Sequence, residues 1–498
     1  MLIIGLYPHQ FQNDHQNSPL VESFLKLKTA IPPQVIIHLL PMWVSEGDGG
    51  FAVSSWSRIE PHFGTLEDLM EFTNSWRVVI DGIFNHVAWG HPIAQQFLRN
   101  PDENADLIHA IKSDEPTDAP YAPRGGSVYL EREIAGSSWY IWHTFGSQAV
   151  DINLSNEDVR EQVETAISFY QRMGIWGLRL DALGYFGKST ESVDHNRNPG
   201  GVEVHNEDGV SIAKSLISYA SNIGLHCLLQ IDNDKKIGLY EVTSEQRPSV
   251  IDYSFTAQFV FSVLFQDPNR IAEHLSKIRE NDCFSIVRPL RTHDGILFRS
   301  RNLSDDDRAA FEKYLDAHNL QKRVTNDLIY ENNNSLPHLL GFRQDRAGYF
   351  RKIAAGIIIA ELTASFSYIY LNALVGDEPE GDLEFPSDPR EMQRRPIDPA
   401  LLEDCIGNKA YCIAELLSTM ASLFNDAAER SSYQVWVEGK LLRIENEGEK
   451  MSAAINFSDG SVQAEASGKV IFSDGYNSTT LDAFGIVLWQ YEPERKTT

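Results

Sequence analysis

Three short segments bring carboxylates, a guanidinium and histidines together at spacings that suit chemistry on an electrophilic carbon. Asp181 ends the run Gly177-Leu-Arg179-Leu-Asp181. In an extended strand, positions two apart share a face, so Arg179 stands beside Asp181. An adjacent opposite charge favours the ionised carboxylate, the form that attacks a carbon such as sugar C1. The second segment is Arg291-Thr-His293-Asp294, and the third is Asp81-Gly-Ile-Phe-Asn85-His86. Each alone is a weak signal, because a single aspartate at a strand end is more often structural. Together, at the ends of three different apolar runs, they point to one convergent site.

Such a site needs a scaffold that brings many strand ends to one face. Eight apolar, β-rich runs supply it: 2–7, 35–41, 77–84, 175–182, 226–232, 249–255, 284–291 and 366–374. Helical patterns such as 159–173 and 351–364 alternate with them. Alternation of this kind predicts an α/β fold with a parallel sheet, and eight strands suffice for a (β/α)8 TIM barrel. Two connections are too long for simple loops. One, over 87–149 after the third strand, is rich in Pro, Gly and Asp and reads as a small inserted domain. The other, about 298–345 after the seventh, contains the helical pattern DDDRAAFEKYLDAH. From about 431 to 498, short strands broken by turn signals predict a C-terminal antiparallel β domain. The barrel itself is then expected over 1–86 and 150–430.

Composition narrows the partners. Of 498 residues, 42% are hydrophobic and 23% charged, which suits a globular protein, and the formal net charge is −27. So acidic a chain is a poor ligand for nucleic acid or an anionic membrane, both of which are bound through Lys and Arg; a small neutral substrate fits better. The four cysteines, 227, 283, 405 and 412, form no CxxC or zinc-like spacing and read as reduced thiols, consistent with a cytoplasmic setting. The N-terminal run reads as a first strand, not a signal peptide. The loop YPHQFQNDHQNS lacks the ligand spacing of a calcium loop, and neither a catalytic metal nor a cofactor is expected, while a structural metal stays open. The oligomeric state stays open, a homodimer included.

The ordered segments DGIFNH, GLRLDALGYFGK and THD, with SQAVDIN at 147–153, resemble the conserved regions of the α-amylase superfamily. THDGI, WHTF and the overall layout resemble sucrose phosphorylase and its glucosylglycerol- and glucosylglycerate-splitting relatives, whereas GDGGFAVSSW at 47–56 is similar to a segment of amylosucrase. The resemblance implies a retaining α-glucoside enzyme. Asp181 is the expected nucleophile, Arg179 its partner and Asp294 the transition-state stabiliser. His86 and His293 would bond the glucosyl unit, and Phe51 would lie under it. Asp48 and Arg390 would close the bottom of the pocket so that it admits only a terminal glucosyl group. Leu328-Ile329-Tyr330-Glu331 matches a segment near the acceptor, where the Glu331 carboxylate would repel phosphate and favour water or a polyol.

One position departs from the pattern. The fifth strand should end in a glutamate acting as acid and base, but Gln230 stands there, in CLLQIDND. An amide can hydrogen-bond but neither gives nor takes a proton. Three explanations stand open: an introduced inactivating substitution, natural loss of the acid, or service by another carboxylate, of which Asp232 is the best candidate. The leading expectation is a hydrolase or transglucosidase acting on a glucosylglycerol- or sucrose-like α-glucoside. A glycoside phosphorylase and a non-catalytic sugar-binding homologue are the alternatives.

Overall fold

The computed structural model describes residues 1–11, 17–112, 127–188, 207–231, 247–297, 304–320, 323–325, 328–378, 394–408, 411–424 and 432–491; at 207, 323–325 and 328–331 it describes the backbone alone. The eight apolar runs form a closed parallel barrel. Its strands are β1 (Leu2–Leu6), β2 (Ile36–Leu39), β3 (Val78–Gly82), β4 (Gly177–Leu180), β5 (His226–Leu229), β6 (Ser249–Ile251), β7 (Ser285–Arg291) and β8 (Phe366–Tyr370). They pair in sequence order, and β8 closes on β1 with Leu2 opposite Ser367 and Gly5 opposite Tyr370. Their runs are almost wholly apolar because helices cover the outside while side chains fill the inside.

The inside is layered. At the amino ends of the strands, Ile3, Ile36, Val79, Leu228, Val287 and Phe366 pack into an apolar plug. Toward the carboxyl ends the inward residues become polar: His38, Asp81 and Arg179, all buried. Tyr368 separates the layers, packing in the plug while its hydroxyl meets His38 Nδ1 at 3.1 Å. Gly5 makes room for it, since a Cβ there would lie 1.9 Å from that hydroxyl.

The connection after β3 carries the strand His86–Ala88, paired antiparallel with Ala149–Asp151, and a three-stranded sheet of Ala110–Ile111, Tyr129–Ile134 and Ser137–Trp142. The chain then enters the helix Glu157–Arg172. Asn156 caps it, its Oδ1 accepting from the amides of Asp158 at 2.9 Å and Val159 at 3.2 Å. This helix delivers the chain to β4, and so sets the height of Arg179 and Asp181.

After β7 lies a second three-stranded sheet, Ile296–Leu297, Arg323–Thr325 and Leu328–Asn332, with the expected helix at Asp305–Ala317. Ser304 and Asp307 form a capping box at its start. The C-terminal antiparallel sheet is built from Tyr433–Glu438, Leu441–Asn446, Met451–Asn456, Val462–Gln463, Lys469–Tyr476 and Thr480–Gln490. It is tied to the barrel by Asn446 Nδ2 donating to the Leu362 carbonyl at 2.8 Å and by an Arg351–Asp474 ion pair at 2.9 Å. All four cysteines are free thiols. Among the described residues, no helix is long and apolar enough to cross a membrane.

Candidate active site

Strand register brings the sequence-predicted residues to one mouth. Asp81 on β3 lies opposite Arg179 on β4, and Leu180 lies opposite Leu229 on β5. Asp181 and Gln230 are therefore the first residues past neighbouring strand ends. Their amides continue the ladder, Asp181 to the Gly82 carbonyl at 3.1 Å and Gln230 to the Leu180 carbonyl at 3.2 Å. After Asp181 the chain turns sharply through Ala182, which adopts a left-handed φ of 52°. Such a conformation is uncommon for a residue with a Cβ and clusters at functional sites.

The buried guanidinium of Arg179 organises the centre. It donates to Asp81, to Asp181 Oδ1 at 3.1 Å, to Gln230 Oε1 at 2.8 Å and to the Tyr253 hydroxyl at 3.4 Å. Asp294 Oδ2 lies 3.7 Å away. His38 Nε2 meets the other oxygen of Asp81 at 3.1 Å. Burial alone would raise the Asp81 pKa, but Arg179 and His38 outweigh it and hold the carboxyl at about 2.

Asp181 behaves differently, and here the sequence expectation needs correcting. Arg179 does pull its pKa down, but burial dominates, and the charges of Asp81, Asp294 and Asp48 add to it. The result is a carboxyl raised to about 7. The guanidinium is shared among several acceptors, so it does not offset the burial of Asp181. With Asp181 as the expected nucleophile, which attacks in its ionised form, kcat/KM for α-glucosyl fluoride is expected to be low in acid, rise through about pH 7 and level off above it. A profile flat from pH 5 to 9 would remove Asp181 from the rate law.

The far wall is aromatic and cationic. Phe51 stacks on His293 with centroids 5.3 Å apart and planes 9° from parallel. His293 is buried and its pKa is pushed down to about 3, chiefly by that burial, so the ring is neutral. Its Nε2 lies 3.4 Å from Asp294 Oδ1. The Arg394 guanidinium sits 5.8 Å from the Phe51 ring and 5.9 Å from that of Tyr7. Arg394 Nη2 is 3.8 Å from Asp294 Oδ1, and Nη1 donates to the Asp48 carbonyl at 3.3 Å. Gly49 permits this approach: its φ is +64°, and a Cβ there would lie 1.8 Å from Arg394 Nη1. His9 Nε2 donates to the Arg394 carbonyl at 2.7 Å, which fixes the segment from behind.

The arginine expected at this wall was Arg390, which lies outside the described residues, as does Asp232. The guanidinium placed against Asp294, Phe51 and Asp48 is that of Arg394, in the same DPREMQRRP segment. Tyr330 and Glu331 belong to the strand Leu328–Asn332, but their side chains are outside the described set. Arg394→Ala is expected to weaken competitive inhibition by glucose roughly 10- to 100-fold, the scale of a lost charged hydrogen bond. Arg390→Ala should change it little; the reverse ranking would return the role to Arg390.

His86 is buried against Phe145, centroids 5.0 Å apart, and its Nδ1 accepts from Asn85 at 3.2 Å. Asn85 also donates to Asp151 Oδ2 at 2.9 Å. The buried Lys188 ammonium joins them, 2.7 Å from Asp151 and 2.7 Å from Asn85 Oδ1. This cluster locks the β3 end to the inserted sheet and to the segment after β4. Among the described residues, no group of three or more His, Cys, Asp or Glu is placed to hold a metal ion.

Sequence reading assigned several of these groups no role of their own. His38 was visible as one polar residue inside an apolar strand, and Asp81 as a charge inside another. Tyr253 and Lys188 carried no such mark, because their neighbours are set by tertiary contact.

Comparison with known proteins agrees with this geometry. Residues 34–278 match the model for the alpha amylase catalytic domain. The chain is 28% identical over 152 residues to the glucosylglycerate phosphorylase of Allomeiothermus silvanus, a match covering 30% of this chain and 27% of that protein. It is 27% identical over 276 residues to the sucrose 6(F)-phosphate phosphorylase of Thermoanaerobacterium thermosaccharolyticum, covering 52% of this chain and 54% of that one. The matches thus span about a quarter to a half of these relatives. In three dimensions, the crystal structure of sucrose 6F-phosphate phosphorylase from Thermoanaerobacter thermosaccharolyticum superposes with a TM-score of 0.75 at 18% identity, covering 91% of this chain and 92% of that one, which speaks to the fold. With the barrel, the ordered strand-end motifs and the match over residues 34–278, this chain carries a catalytic domain of the alpha-amylase family.

Proposed function

We propose that the protein is a retaining glucosyl-transfer enzyme that receives the terminal α-glucosyl unit of a small α-glucoside as an ester on Asp181. The observation that carries this reading is the Arg179 fork at the carboxyl ends of the strands. It contacts Asp181 and Gln230 on adjacent strand ends and approaches Asp294 from across the mouth. Asp181 attacks the anomeric carbon. Asp294, flanked by Arg179 and Arg394, is placed to bond the ring hydroxyls. His293 and Phe51 form the apolar side of the glucosyl pocket, and Arg394 with the Asp48 loop its closed end. A closed end admits terminal glucosyl groups only, so internal bonds of amylose should remain uncut.

Two readings of the acceptor divide the field. Water or a polyol follows from the carboxylate at Glu331. Phosphate is supported by the neutral amide at Gln230, which cannot deprotonate a hydroxyl but need not deprotonate phosphate. It is also supported by the names of the two relatives compared above, although a trehalose-6-phosphate hydrolase of Escherichia coli matches at 30% identity over 161 residues. The test is phosphate dependence with α-glucosyl fluoride as donor. Under the second reading, α-glucose 1-phosphate accumulates in proportion to added phosphate. Unchanged fluoride release, with glucose or a new glucoside as product, would select the first.

A further inference from the structure

Gln230 occupies the position from which a carboxyl group would protonate the leaving oxygen, and its surroundings fix how it is turned. Both groups that reach its side-chain oxygen, Arg179 Nη2 at 2.8 Å and the Ala182 amide at 3.2 Å, can only donate. The oxygen therefore faces them, and the NH2 branch, half-buried at the strand end, makes no hydrogen bond to the described residues. That branch can donate a hydrogen bond to a departing oxygen but has no proton to transfer.

Three neighbouring groups are already engaged elsewhere. Asp81 is buried behind Arg179 and bonded to it and to His38. Asp294 lies between two guanidiniums, 3.7 Å from Arg179 and 3.8 Å from Arg394. The Tyr253 hydroxyl accepts from Arg179 at 3.4 Å. A neutral amide also leaves the pocket one negative charge poorer than a carboxylate would, beside Asp48, Asp81, Asp181 and Asp294, and so repels an arriving anion less.

We propose that this chain moves an α-glucosyl group between oxygens that are already anionic: it takes donors of the glucosyl-phosphate type, whose leaving group departs as a stable anion, and delivers to acceptors that arrive as anions. This rests on the reading of Asp181 as nucleophile. In the first step an Asp181 oxygen forms a bond to the anomeric carbon. The bond from that carbon to the phosphate oxygen breaks, its electron pair leaves with phosphate, and no proton moves. In the second step an anionic acceptor attacks the same carbon from the vacated face. The ester bond breaks, its pair returns to the Asp181 carboxylate, and again no proton moves. Two inversions restore the α configuration. An alkoxide from a sugar or polyol is too basic to leave unprotonated, and neutral water is a poor attacker without a base.

The test uses the intact chain with three donors: α-glucose 1-phosphate, α-glucosyl fluoride and sucrose. Arsenate should convert α-glucose 1-phosphate to glucose, because the arsenate ester of glucose falls apart in water. Azide should accelerate fluoride release and yield α-glucosyl azide. Sucrose should react about 100-fold or more slowly than the fluoride, the scale of the missing acid. Turnover of sucrose at the fluoride's rate would overturn the proposal by revealing a proton donor, Asp232 first among the candidates, and would leave the Asp181 reading intact. Reaction of the fluoride without arsenolysis of α-glucose 1-phosphate would reject the glucosyl-phosphate class. No turnover of any donor, by this chain or by Gln230→Glu, would remove the Asp181 reading as well.

Discussion

Asp181→Asn is expected to abolish fluoride release from α-glucosyl fluoride, by about 10⁴- to 10⁶-fold, as removal of a nucleophile does elsewhere. Fluoride departs without a proton, so the assay isolates bond formation at the anomeric carbon from the question of the missing acid. The variant is nearly isosteric, and Asn can still accept from Arg179. Folding should therefore survive, and a sign check gives an independent readout. The folded-state pKa of Asp181, about 7, exceeds the ordinary 3.8, so the folded state holds a proton that the unfolded chain has lost. Stability contributed by that proton is present in acid and fades as pH rises through about 7. The Tm advantage of Asp181→Asn over the parent should thus widen between about pH 4 and pH 7 and stay constant above. Near-parental fluoride release would take the nucleophile role from Asp181, whatever the Tm.

Gln230→Glu is expected to raise turnover of sucrose or glucosylglycerol by roughly 100- to 10,000-fold, the usual yield of general acid–base catalysis. The side chain keeps its shape, and one carboxyl oxygen can accept the bonds that Arg179 and Ala182 now give the amide. The new group must hold a proton to act as an acid. Nearby Asp181 and Asp294 favour that, since like charges raise a carboxyl pKa, while Arg179 opposes it. The competing assignment forecasts the opposite pattern: if Asp232 is the acid, Asp232→Asn silences the present chain and Gln230→Glu changes little. An unaltered sucrose rate in Gln230→Glu would end the role assigned to position 230.

Much of the scaffold was legible because barrel strands are buried on both faces. LIIGL, VVIDG and SIVRPLR each read as a strand from apolar content alone, and each forms one. Arg179 and Asp181 were readable because strand periodicity places them on one face, and Arg179 donates to Asp181 Oδ1 at 3.1 Å. The balance of charge around Asp181 was not readable. It depends on Asp81 sharing the guanidinium, a cross-strand contact that spacing along the chain does not encode. Which arginine reaches this wall was not readable for a related reason. DPREMQRRP offers three, and the close approach of Gly49, which lacks a Cβ, to Arg394 beside Asp294 is a contact that spacing along the chain does not encode. The polar layer of His38 and Tyr368 was hidden likewise, since the two meet only when β8 closes on β1.

The most direct test of the account is the covalent ester itself. With Gln230 unable to activate water, the glucosyl group taken from α-glucosyl fluoride should persist on the protein. Acid-quenched, intact-protein mass spectrometry should then show a gain of one glucosyl unit, and peptide mapping should place it on Asp181, with no gain in Asp181→Asn. A label on another residue, or none while fluoride is being released, would contradict the account.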